Sequence, residues 1–298
     1  MSAAFLNAGA TSLAAINWSD YSAGPPVTGG FEDSAELYVQ SGTQTITGGL
    51  SPSLANGIQN FDVLSGFSGN IGGAAGSLAV ETRSSLLNQV TQIPRIRYYA
   101  SGGSLYYTPQ GAGAAADVCD YYQIGNSGNG YVTGTGTIKR LESLGGRLYL
   151  APTIGSVANF RWVLSGGSVT IDGVSGSTKI HALTIAGGQH LLKKGIQGTS
   201  ITATGFTEGL NVSGGSVTID AYGETISDMR IYGGYVTVVN SGAIAVTSGY
   251  VGTLDFSKLQ RPLTLTLLED APGLTVIPSK MLTITTRNPI GTGAVGLT

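Results

Sequence analysis

Along most of this chain single hydrophobic residues alternate with polar ones for a few positions, break at a glycine doublet, and then resume. Residues 210–220, LNVSGGSVTID, show the pattern, with Leu210, Val212, Val217 and Ile219 on one phase. The same arrangement recurs in LESLGGRLYL (141–150), LTIAGGQHLL (183–192) and MRIYGGYVTVV (229–239). Looser copies are IRYYASGGSLYY (96–107) and LYVQSGTQTI (37–46). Period-two alternation predicts strands with one buried face. The glycines supply the backbone freedom that a tight bend between strands requires.

Taken locally, a glycine doublet between two such strands suits a hairpin, and a run of them would give an antiparallel meander. The longer spacing points elsewhere. From Gly145 to Gly166 is 21 residues, from Gly166 to Gly187 is 21, from Gly187 to Gly214 is 27, and from Gly214 to Gly233 is 19. Strand–turn–strand units repeating at that interval are what a solenoid coil needs. The octapeptide SGGSVTID occurs at 165–172 and again at 213–220, 48 positions later. That places the two copies at the same corner two coils apart, with Val169 and Ile171 in the same interior column as Val217 and Ile219. The expected architecture is all-β: a parallel β-helix (β-solenoid) of about nine coils over residues 34–258. Residues 1–33, which hold Trp18 and the Pro25, Pro26 break, read as an attachment or capping segment. Residues 259–298, punctuated by Pro262, Pro272 and Pro278, read as a β-rich C-terminal cap. Residues 77–90 are the one stretch with a helical pattern.

Composition sharpens this picture. Glycine supplies 47 of 298 residues and charged residues only 11%, against averages of about 7% and about 25%. A net charge of −2 with 41% hydrophobic residues excludes intrinsic disorder. It also argues against a nucleic-acid partner, which calls for a basic stripe. No apolar run reaches the roughly 20 residues of a membrane span. Cys119 is the sole cysteine, so no intrachain disulfide forms, and it reads as a small buried hydrophobe. The first residues lack a positive segment followed by an apolar core, so synthesis in a cytoplasm without export is expected.

The chemistry-bearing residues are sparse. His181, His190 and Cys119 do not make a closed Cys/His zinc site, and no metal or cofactor is expected. GNGYVTGTGT (128–137) lacks the GxGxxG spacing of a dinucleotide loop, and no GxSxG, HExxH or GxxxxGK[ST] occurs. In a calcium-type GGxGxD repeat, Val169 and Val217 would stand where the third glycine belongs. The carboxylates to consider as an acid–base pair are Asp172, Asp220, Glu224, Asp228 and Asp255. Rung spacing puts Asp172 and Asp220 ~9–10 Å apart, within the span of inverting glycosidases. No histidine or aromatic cluster accompanies them in sequence, and aspartates after strands are common for their local hydrogen bonds. A non-enzymatic protein is therefore expected. Tyrosine is the notable surface residue, 14 in all, with doublets at 98–99, 106–107 and 121–122. If Ile96 and Tyr98 turn inward, Arg97 and Tyr99 turn outward. Arg97, Tyr99 and one of Tyr106 and Tyr107, with Trp18 of the N-terminal segment, are the candidate interface residues, being of types favoured at subunit contacts.

Glycine-rich, charge-poor coils with GGSVTI-style rungs and a short irregular N-terminal piece resemble bacteriophage virion β-helix proteins of the head decoration (cement) and tailspike or tail-fibre types. The resemblance spans the coils, residues 34–258. It implies a structural protein on the capsid surface of a virion, made in the host cytoplasm, with the capsid protein as partner. Self-association, as a homotrimer in similar phage solenoids, is implied as well, with no nucleic acid and no membrane. The runner-up is a tail fibre or tailspike that recognises, and in some cases hydrolyses, host surface glycans. An antiparallel β-sandwich binding module is the remaining alternative.

Overall fold

A computed structural model describes residues 3–12, 18–20, 36–47, 60–72, 95–107, 118–125, 127–134, 137–152, 161–172, 182–193 and 209–291. The helical expectation for 77–90 lies outside them. Among the described residues all regular structure is β-strand. The chain groups into two compact bodies: Met1–Phe160 with Gly167–Val169 and Gly173–Thr178, and Arg161–Gly166 with Thr170–Asp172 and Lys179–Thr298. In both the chain winds as a parallel β-solenoid. The meander and the sandwich are thereby set aside.

In the first body, strands Glu36–Gly42, Asn60–Phe67, Arg95–Tyr98, Val118–Gln123 and Thr137–Ser143 lie over one another. Leu37, Phe61, Ile96, Tyr121 and Leu141 form one inward column, and Val39, Val63, Tyr98, Gln123 and Ser143 a second; all are buried. Each aliphatic or phenyl side chain so buried contributes about 1.5–3 kcal/mol. Both columns also carry polar atoms into the interior, where corner carbonyls and one side-chain amide receive them. Tyr98 Oη donates to Gly102 O at 3.1 Å, Tyr121 Oη to Gln123 Oε1 at 2.9 Å, and Gln123 Nε2 to Gly128 O at 3.1 Å. Room for the Tyr121–Gln123 pair comes from Gly130, where a Cβ would lie 2.5 Å from the tyrosine oxygen. The first rung, Ala3–Leu6, pairs in parallel with Glu36–Gly42 along one edge. Its other edge takes Trp18–Asp20 antiparallel, the one antiparallel pairing among the described strands.

In the second body, Leu183, Leu210, Met229, Thr247 and Leu268 stack in one inward column. Around the glycine corner, Leu192, Ile219 and Val238 make another. Strands Ser216–Ile231, Tyr235–Asp255 and Leu263–Ile277 pass corners through register shifts rather than by ending. The parallel register continues into Leu282–Pro289, with Leu263 opposite Leu282 and Leu265 opposite Ile284.

The twin octapeptides occupy the positions that the repeat predicts. Ala186 N donates to Leu164 O and Ser213 N to Ile185 O, each at 2.8 Å, so Ser165, Ala186 and Ser213 sit on consecutive coils. Lys193 N donates to Ile171 O at 2.8 Å and Leu192 lies opposite Ile219, which again separates the copies by two coils. The coil between them departs from the expected apolar ladder, because His190 stands opposite Val217. The doublet's second glycine is needed twice over. Gly215 and Gly234 have φ of 73° and 80°, and a Cβ on Gly234 would lie 2.7 Å from the Gly215 carbonyl oxygen. Left-handed backbone and coil-to-coil contact thus both demand a missing side chain.

Candidate functional site

Outward-facing side chains follow the same register as the core and form ladders along the coils. In the first body, Tyr38, Asp62, Arg97 and Tyr122 share one outward row. Arg97 grips Asp62 with both arms of its guanidinium, Nε to Oδ1 at 2.8 Å and a terminal nitrogen to Oδ2 at 2.7 Å. Burial pushes the Asp62 carboxyl up and Glu36 adds to this; the Arg97 fork brings it back only in part. Tyr38, desolvated and donating to Glu36 Oε2 at 2.8 Å, has its phenol pushed up to about 12. Beside the fork lies a cavity of about 650 Å³ lined by Asp62, Leu64, Ser65, Tyr99, Ser101 and Ile124, among others.

The structure therefore brings Arg97, Tyr99 and Asp62 together, but it gives Arg97 a partner within its own chain. Tyr107 lies in strand Ser104–Tyr107 opposite Val132, and Trp18 opposite Leu6; their side chains lie outside the described residues, as do those of Cys119 and Glu224. His181 lies outside them altogether.

The coils align the candidate Tyr106 with aromatic residues that sequence reasoning passed over, and they align others in the second body. Tyr106 and Tyr131 stack with ring centroids 4.6 Å apart and 8° between planes, and Tyr149 follows at 6.5 Å. In the second body, Tyr232 and Tyr250 stack at 5.0 Å and 2°. The Arg261 guanidinium lies 4.1 Å from the centre of the Tyr222 ring. The Tyr232–Tyr250 stack had a signal: both precede a corner by the same offset, and they are 18 residues apart.

The candidate acid–base carboxylates whose side chains are described are engaged in structural contacts. Lys193 sits on the coil between Asp172 and Asp220 and pairs with Asp172 at 3.2 Å. Asn240 Nδ2 donates to Asp220 Oδ1 at 2.7 Å, and Arg230 pairs with Asp228 at 3.0 Å. Burial would raise the Asp255 carboxyl, but hydrogen bonds from Ser257 and from Tyr235 Oη (2.7 Å) outweigh it and hold the group low. Asp270 is likewise held low, chiefly by the Arg287 fork at 3.1 and 2.6 Å.

His190 is buried, with Nε2 against the Gly187 carbonyl at 2.5 Å and Nδ1 without a partner. Burial lowers its pKa, and the Gly187 carbonyl offsets part of the effect. Among the described residues no three His, Cys, Asp or Glu side chains are grouped to hold a metal ion. No family model, curated protein or solved structure matches this chain.

Proposed function

We propose that this chain is a non-enzymatic structural protein of a bacteriophage virion, one that decorates or cements the capsid with the capsid protein as its partner. The observation that supports this reading is how the described carboxylates are used. Asp62, Asp172, Asp220, Asp228, Asp255 and Asp270 each have a partner in their own or a neighbouring coil. Acid–base catalysis requires a carboxyl free to exchange its proton with a reacting group, whereas these ladders tie coil to coil. The resemblance of the GGSVTI rungs to phage solenoids supplies the virion setting. Immunogold labelling of purified particles tests the reading: label spread over the head shell is expected. Label confined to the tail tip, or absent from particles, would overturn it.

The cavity beside Tyr99 favours one second reading, a tail protein that receives a host glycan. An aromatic ring, serines and the Asp62 carboxylate around the cavity suit a sugar. Binding of host surface polysaccharide that is lost in Tyr99→Ala, together with tail-tip label, would favour that reading over the first.

A further inference from the structure

The glycine corner of the second body carries a step. Tyr232 N donates to Val212 O at 2.7 Å, and Ile231 lies opposite Gly249, so Ser165, Ala186, Ser213, Tyr232 and Tyr250 occupy one column on successive coils. All five are exposed, Tyr232 at 48% and Tyr250 at 39%. The column thus rises from three short side chains to two stacked rings. Tyr250 covers one face of Tyr232. The other face looks over Ser213, whose side chain is too short to cover a ring. Alongside runs the next outward row, Thr184, Asn211, Arg230 and Ser248, in which Asp228 neutralises the one cation.

We infer that the occupant of this step is a second copy of this chain, docked about a twofold axis so that Tyr232 of each copy rests over Ser213 of the other. A step is self-complementary under such an axis, as an isologous contact must be. Rungs ~4.8 Å apart would let the two open Tyr232 faces meet at a ring-stacking distance, giving one column of four rings, two from each copy. The same operation sets Tyr250 over Ala186, Arg230 over Asn211 and Ser248 over Thr184. No like charges meet in these rows. Tyrosine at the centre of such a contact supplies much area for little lost side-chain freedom. The pairing stands whether or not the protein belongs to a virion.

Sedimentation equilibrium of the full chain tests this. The unsubstituted protein is expected to be a dimer. Tyr232→Ser removes the ring, and Ser213→Tyr fills the shelf from within the same copy. Each should raise the dissociation constant roughly tenfold or more, with the circular dichroism of the folded chain unchanged. Because both positions are exposed and neither substitution touches the core, a folded monomer is the expected product in each case. A monomeric parent, or an assembly whose mass neither substitution changes, would overturn the inference.

Discussion

Mild acid should weaken the second body through one side chain. His190 is 4% exposed and lies opposite Val217 of the following coil. A carbonyl can only accept, so the 2.5 Å contact with Gly187 O assigns the proton to Nε2 and leaves Nδ1 as a buried lone pair. Protonating Nδ1 would put a charge where only burial and the Gly187 carbonyl act on the ring, with no carboxylate among them. The folded imidazole therefore titrates below its ordinary value near 6.5. As the pH falls through about 6.5 the unfolded chain takes up a proton that the native chain refuses. Stability is thus full above that pH and is lost below it, by up to ~1.4 kcal/mol per unit, until the native ring is protonated too. From about pH 7.5 to about pH 5.5 the loss is on the order of 1 kcal/mol. His190→Leu removes the titration and the unpartnered nitrogen, and it places a branched apolar side chain beside Val217. Urea unfolding of both proteins at the two pH values measures the effect, since any other titrating group is common to both. The stability difference should shift in favour of the variant by roughly 1 kcal/mol on acidification. A difference that stays constant would mean that the native imidazole finds water or an acceptor, and the reasoning would fail.

Two further outcomes follow from buried polar atoms. Thr247 lies between Met229 and Leu268 in the inward column, and its hydroxyl is buried without a partner. Thr247→Val should therefore raise the urea midpoint, by about 1 kcal/mol in stability; a lower midpoint would show that the hydroxyl is satisfied. Arg97→Ala strips the fork from Asp62, whose side chain is 5% exposed, while that of Arg97 is 29% exposed. The cost should be about 2 kcal/mol at neutral pH, short of the roughly 3–5 of a fully buried pair. Asp62→Asn added to Arg97→Ala should recover most of it, and no recovery would refute the assigned cause.

Much of the coil path was legible because the glycine doublets recur at the coil interval, and that interval separates a solenoid corner from a hairpin where the local alternation does not. Alternation also placed Ile96 and Tyr98 inside and Arg97 outside. It did not foretell what Arg97 would meet. Asp62 is 35 positions earlier, and the coils between such partners vary in length, so no fixed offset connects them. The polar interior was hidden for a different reason. A period of two assigns a face to Gln123 or His190, but whether a corner carbonyl stands within reach depends on the coil's cross-section. The tyrosine step needed the register as well: Tyr232 and Tyr250 become neighbours only once 18 residues are known to make one turn there.

The short antiparallel strand Trp18–Asp20 deserves a last consequence. Along Ala3–Leu6 it occupies the backbone donors and acceptors that a further parallel rung would use. A stack of identical coils is a template that could recruit strands from other molecules and grow into a fibril. With that hydrogen-bonding edge already filled, and filled in the opposite sense, an incoming chain finds no ladder to extend along this strand. Removing residues 18–20 should therefore show itself as aggregation at high concentration sooner than as a loss of fold.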